Sequence, residues 1–446
     1  MYWTGTSILR IITNEGSPQT MVTEDRNIVV PQSEESIVKP KGLTTERLRL
    51  LTVSLAGFCT FLDLYATQPL LPLLQRVFHA TEMSVSLTVS VTTLAVALAA
   101  PFAGALSERF GRKPVITAAI FALTIPTLLA ATSSSLNALI GWRLLQGIFM
   151  PGIFAVTMAY IAEEWSEGGS GGAMSAYVTG NVLGGFSGRF ITGLIAGHGG
   201  WQEAFLVLGS LNLAGAFAVV RWLPPSRRTH KNVAHDMALE VAEPAKKSGI
   251  LHDVADHLRT PALVATYAAG FNVLFSQVAT FTYVTFYLTG KPFHLSTTAL
   301  ASLFLVYLIG VVTTPIAGRW IDRSGHRSTF AAAVLVSSAG MLLTLLHSLV
   351  AVVVGLACLC CGVFVCQSAA SSHVGVAAKK ARSLATGLYV TFYYLGGSAG
   401  AWLPGIAWHW GGWPACVALI VCVQAVTAAI ALNYWRTRPV LAAAAV

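Results

Sequence analysis

Three charged side chains stand inside long apolar runs of the 446-residue chain. Asp63 lies in FLDLYATQPLLPLL, Arg143 in GWRLLQGIFMPGIF and Arg189 in AYVTGNVLGGFSGRFITGLIAGHGGW. In such surroundings a carboxylate can take up a proton and release it again as its hydration, or its distance from a positive charge, changes. A guanidinium can supply that charge, or it can hold an anion through its planar fork of donors. An ionised group at the centre of an apolar segment costs about 2.5–3.5 kcal/mol on insertion scales, so each needs a partner or a task. Asp63, Arg143 and Arg189 are therefore the candidates for proton coupling. The structural alternatives are a packing or capping role for Asp63, and for Arg143 a side chain snorkelling to a surface about 10 Å away.

The segments that must position these residues are helices in a membrane. Apolar residues make up 54% of the chain and charged residues only 11%. Residues 328–378 and 383–435, 51 and 53 residues long, contain no Asp, Glu, Lys or Arg. Each run is long enough for two helices of about 20 residues. Segments this long and uniformly apolar are not barrel strands. Twelve spans are expected, at about 49–74, 83–106, 114–133, 136–162, 170–197, 202–223, 260–288, 296–318, 328–347, 349–374, 383–407 and 412–435.

The chain repeats itself at half-length. GALSERFGRKP carries Gly104, Glu108, Arg109, Gly111, Arg112 and Lys113; GRWIDRSGHRS, offset by 214 residues, carries Gly318, Asp322, Arg323, Gly325 and Arg327. Gly184, Gly185 and Gly188 return as Gly396, Gly397 and Gly400 at an offset of 212. Such a repeat implies two pseudo-symmetric six-helix halves. Gly180, Gly184 and Gly188 recur every four residues, and Gly396 and Gly400 continue the pattern in the second half, so these glycines are read as helix-packing positions. Asp63 corresponds to Ser276 and Arg189 to Ala401, which leaves the second half with neutral groups inside its spans. Gln277, Asn272, Gln367 and Tyr393 are the candidates there for lining a substrate cavity.

The repeated charged turn resembles the loop motif after the second and eighth spans of major facilitator superfamily transporters, whose role is to hold the cytoplasmic side closed. The run Arg143, Gln146, Gly147 resembles that superfamily's fourth-span motif, in which the Arg is tied to proton coupling. Asp63 followed by Pro72 resembles a first-span motif in parts of the superfamily. The fifth-span glycines resemble the antiporter motif of drug-exporting members, with Arg189 standing where that motif has Pro. The wording NVLGGFSGRFITG is most like the YnfM-type bacterial inner-membrane transporters. The resemblance implies the all-α major facilitator fold, alternating access between the halves and a small-molecule substrate bound near the midplane.

The net charge of +9 is a matter of topology. Arg109, Arg112, Lys113, Arg221, Arg227, Lys246, Arg319, Arg323, Arg327, Lys379 and Arg382 fall on one side, and the opposite loops hold only Arg76 and Lys291. The positive-inside rule puts both termini in the cytoplasm. The expected organisation is a disordered cytoplasmic tail at 1–48, an N-terminal half at 49–223, a cytoplasmic linker at 224–259, a C-terminal half at 260–435 and a second tail at 436–446. Nothing in the charge pattern calls for nucleic acid. The seven cysteines lack paired ligand spacing, so no metal and no cofactor is expected. No convergent acid–base set for an enzyme is visible. The function expected is proton-coupled export of a small organic molecule by a monomer in the bacterial inner membrane, with lipid and protons as its other partners. The alternative is uptake, by symport or facilitated diffusion, of a small solute, anions included.

Overall fold

The structure, a computed structural model, describes residues 43–165, 169–225, 250–378 and 380–435. Arg227, Lys246, Lys379 and the two expected tails up to 42 and from 436 lie outside the described residues. What is described is an all-α integral membrane protein. Nine helices among the described residues are long and apolar enough to cross a membrane. The fifth span, Ser170–His198, and the eleventh, Arg382–Trp402, are helices as well, but Gly, Ser and Thr dilute their apolar character. The eighth and ninth run together as Thr297–Leu343 across a bend at Gly325. Twelve crossings result, six in each half.

Local chemistry sets where the helices begin and turn. Thr81, Ser135 and Ser296 cap the second, fourth and eighth spans, their hydroxyls accepting from the amides of Ser84, Ala138 and Ala299 at 3.2–3.3 Å. Between the second and third spans the chain turns on one residue, Gly111, at φ 87°; Gly325 does the same in the repeat at φ 76°. Both angles are left-handed, a region glycine enters without a Cβ clash. Two helices run beyond the expected limits. The first begins at Leu43, ahead of 49, and Ile250–Arg259 forms a short amphipathic helix inside the expected linker. Apolarity marks where lipid begins, whereas a helix continues as long as its backbone is satisfied.

Glycines bring paired helices into backbone contact. A Cβ on Gly180, Gly184 or Gly188 would strike the carbonyl oxygen of Ser54, Phe58 or Leu62 on the first span. Gly396 and Gly400 sit in the same way against Phe271 and Phe275 of the seventh span, a Gly400 Cβ lying 2.5 Å from the Phe275 carbonyl oxygen.

The halves converge away from the charged turns. Ser90 donates to the Ser398 carbonyl at 2.9 Å, Gln68 Nε2 to Thr282 Oγ1 at 3.3 Å, and a Cβ on Gly193 would stand 2.5 Å from that of Ala301. Moving toward the charged turns, Phe154 and Tyr394 still meet, with ring centroids 5.6 Å apart. Beyond them, Gly104, Gly318 and Gly387 would meet nothing within 4 Å, and Glu108, Arg109, Asp322 and Arg323 are exposed. Among the described residues, the hydrogen bonds that join the halves all lie away from the charged turns.

Candidate functional site

The first span is broken, and the break organises the polar interior of the first half. Its helix stops at Leu64, and a 3-10 turn at Gln68–Leu70 precedes the outer helix Leu71–Val77. At the break the amides turn to nearer carbonyls, Ala66 N–H to that of Asp63 at 3.2 Å and Gln68 N–H to that of Tyr65 at 3.0 Å, so carbonyls there can take further donors. Arg143 provides them. Its Nη1 donates to the Asp63 carbonyl at 2.8 Å, Nη2 to the Leu64 carbonyl at 2.6 Å and Nε to the Thr88 carbonyl of the second span at 3.0 Å. Arg143 is fully buried, so it does not snorkel.

Asp63 is fully buried beside it. Its Oδ2 accepts from Thr127 Oγ1 at 2.8 Å and from Asn212 Nδ2 at 2.5 Å, residues of the third and sixth spans. Gln146 closes the web, receiving Arg143 Nη1 at 2.5 Å and donating to Thr127 at 2.8 Å. Asp63 Oδ1 has no hydrogen-bond partner among the described residues. The guanidinium therefore addresses the backbone of the aspartate rather than its carboxylate.

Arg189 belongs to a different place. It makes no contact with Asp63 and sits where both halves break. The second break is in the eighth span, where a 3-10 turn at Phe304–Leu308 follows Thr297–Leu303. From the first break, Gln68 Oε1 accepts Arg189 Nε at 2.7 Å and the Tyr65 ring lies 4.5 Å from the guanidinium carbon. From the second, the rings of Tyr307 and Phe304 lie at 4.3 and 5.3 Å, and the Tyr307 hydroxyl accepts Nη2 at 3.4 Å. Nη1 donates to the Gly185 carbonyl at 2.5 Å. Cation–π contacts and neutral acceptors hold this charge; no carboxylate pairs with it among the described residues. Broken helices from the two halves of a repeat are the usual frame for a transporter's substrate or ion site.

The remaining candidates are dispersed. Gln277 is buried, at 7% exposure, on the seventh span. Tyr393 packs edge-on against Tyr394 at 5.3 Å and lies 6.2 Å from the Tyr389 ring. Asn272 is taken up within its own helix, accepting from Ser276 at 3.1 Å. Gln367 is half-buried. In the first charged turn Arg112 pairs with Glu163 at 2.8 Å and also contacts Ser107 Oγ, while Arg49 holds Glu164 at 2.7 Å. Asp322 makes no ion pair among the described residues. The nearby His326 imidazole is pushed below its usual pKa by burial, against the pull of Asp322. Sequence reasoning missed Tyr65, Gln68, Thr127, Asn212, Phe304 and Tyr307. The two prolines after Tyr65 were the one visible sign of the first break; nothing in the FLVYL segment announces the second.

The comparisons agree with this architecture. A family model described as Major Facilitator Superfamily matches residues 53–372 and 290–445. YybF of Bacillus subtilis (strain 168), described as an uncharacterised MFS-type transporter, is 32% identical over 375 residues, which is 83% of this chain and 90% of YybF. YnfM of Escherichia coli (strain K12), described as an inner membrane transport protein, is 33% identical over 398 residues, covering 87% of this chain and 93% of YnfM. A bacterial homologue of the human lysosomal transporter Spinster, solved inward-facing and unoccupied, superposes with a TM-score of 0.72 at 14% identity, over 90% of this chain and 100% of that one. With the family model spanning both halves and two relatives matched along most of their length, the chain belongs to the major facilitator superfamily of membrane transporters.

Proposed function

We propose that this chain is a secondary active transporter of the bacterial inner membrane that exports a small organic molecule by alternating access, coupled to protons, as a monomer with both termini in the cytoplasm. The observation that carries the reading is the asymmetric joining of the halves. They are tied through Ser90–Ser398 and Gln68–Thr282, away from the charged turns, with Arg189 between the two helix breaks. Rocking about such a joint exposes the interior to one side at a time. The clustering of Lys and Arg supports assigning the end of the charged turns to the cytoplasm. Export is the direction that the fifth-span resemblance to the antiporter motif suggests, and Arg189, standing where that motif has Pro, weakens it.

Proton coupling falls to Asp63. It is a buried carboxylate, and Arg143 donates to its backbone carbonyl. A positive charge brought to a carboxylate favours its ionised form, and withdrawal favours the neutral one. Movement at the break would thus load and unload a proton in step with rocking. Inverted membrane vesicles containing the full chain test the proposal, with flux followed with and without an imposed pH gradient. Gradient-driven accumulation is expected in the wild type. Asp63→Asn, which keeps the shape and removes the titration, should abolish accumulation while sparing substrate exchange. Accumulation by Asp63→Asn with unaltered pH dependence would sink the role of Asp63, and accumulation indifferent to the pH gradient would sink proton coupling.

A further inference from the structure

We propose that Arg189 is the anchor for the negatively charged head of the transported molecule, and that this molecule is a small planar organic carboxylate. The inference rests on the transporter reading and is independent of its direction.

Arg189 is 2% exposed and carries a charge that nothing among the described residues neutralises. A guanidinium has five N–H donors. Here Nε is used on Gln68, one Nη1 hydrogen on Gly185 and one Nη2 hydrogen, at a long 3.4 Å, on Tyr307. One donor on each terminal nitrogen therefore remains, the pair that grips a carboxylate with two parallel hydrogen bonds. Arg143 offers no such edge, because its donors are committed to three carbonyls and Gln146. Of the two buried arginines, one is consumed by the scaffold and the other is left with capacity.

The surroundings indicate what would be attached to the anion. Tyr65, Gln277 and Tyr307 each keep 7% exposure, and the rings of Tyr65 and Tyr307 lie against the guanidinium. Tyr394 and Phe154, from the eleventh and fourth spans, meet with rings 5.6 Å apart. The hydroxyls of Tyr65, Tyr393 and Tyr394 have no hydrogen-bond partner among the described residues. A wall of ring faces and spare hydroxyls with one cation suits a flat body bearing a single negative charge and one or two polar substituents. A dianion would leave a charge unmatched, and a cation would face Arg189 directly. When the joined end opens, the Arg189–Tyr307 contact must part, and a bound carboxylate would then take up the donor that Tyr307 gives back.

The test is equilibrium dialysis of the purified full chain in detergent against labelled benzoate, nicotinate and salicylate, with their neutral amides as controls. Saturable binding of at least one acid, and of none of the amides, is expected. Arg189→Gln should weaken the acid by about tenfold or more, the scale of a lost charge-assisted hydrogen bond. Arg189→Lys keeps the charge without the two-pronged grip and should fall between. No saturable binding by any acid, equal binding of amide and acid, or unchanged affinity in Arg189→Gln overturns the anchor. Should Arg189→Gln not fold, unchanged affinity in Arg189→Lys does the same. A second arm separates this from the transporter reading: Ser90→Cys with Ser398→Cys should cross-link in one fraction of molecules and stay open in another. Two such states without acid binding would leave transport standing and remove the anion. A single locked state would remove alternating access.

Discussion

In the first half the sixth span reaches inward with Asn212, and in the second half the twelfth span reaches inward with Gln424, 212 residues later. Both amides tie outer helices to the interior, but they meet different chemistry. Asn212 donates to the carboxylate of Asp63, which is linked through Thr127, Gln146 and Arg143 to the broken first span. Gln424 donates to Ser337 at 2.8 Å and accepts from Ser338 at 2.6 Å, and Ser276, standing for Asp63, bonds among the described residues only to Asn272. The seventh span, which lacks the charge, also runs unbroken over Pro261–Thr289. The second half shows that this scaffold needs a polar cross-tie at that position but not an ionised one. The charge and the break occur together in the first half, which is where proton coupling would need them.

The comparison breaks hardest at Arg143. Arg143→Met would take a donor from the carbonyls of Asp63, Leu64 and Thr88 and remove the buried positive charge beside Asp63, an expected loss of about 3–5 kcal/mol. Gln424→Met, in the neutral web, should cost about 1–3 kcal/mol. Thermal unfolding of the two purified variants checks the ranking, and equal losses would mean that the charged web is no more integral than the neutral one. Next come the glycine contacts, where the halves should behave alike. Gly188→Ala and Gly400→Ala each press a methyl onto a facing carbonyl, and each should cost about 1–3 kcal/mol by the same measurement. A clear loss in only one half would show that the two helix pairs are not equivalent. The smallest effect is expected at the charged turns. Glu163→Gln removes the partner of Arg112 at a partly exposed site, worth about 0–1 kcal/mol. It should slow flux without changing substrate affinity, whereas Asp322→Asn, unpaired in this state, should leave the unfolding midpoint unmoved.

Much of this frame was legible in the sequence because it rests on short-range chemistry. Apolar runs mark where backbone must satisfy itself in lipid, and the expected spans fall within a few residues of the helices. Gly180, Gly184 and Gly188 share a helix face by simple periodicity, and Gly111 and Gly325 were marked by the repeat itself. The candidate site was legible only in its charges. Arg189 finds Gln68 at a separation of 121 residues and Tyr307 at 118, and Asp63 finds Asn212 at 149. No periodicity reports such meetings. Two arginines that both stand inside apolar runs serve different places, one closing a broken helix and the other standing between the halves. The Phe304–Leu308 turn carries neither proline nor glycine, so its departure from α-helical pitch comes from tertiary packing and leaves no local trace.

The single-residue joint at Gly111 has a mechanical consequence. Glu82–Phe110 and Arg112–Ala130 are separated by one amino acid, so the two rods share an elbow with no slack. A displacement of the first rod's end at the elbow is therefore shared by the adjoining end of the second. Gly325 imposes the same kinematics on its partner rods. Within each half, then, two adjacent crossings move as one crank. The residues flanking each elbow act as its bearing, and an epitope inserted there would decouple the crank even if every helix still formed.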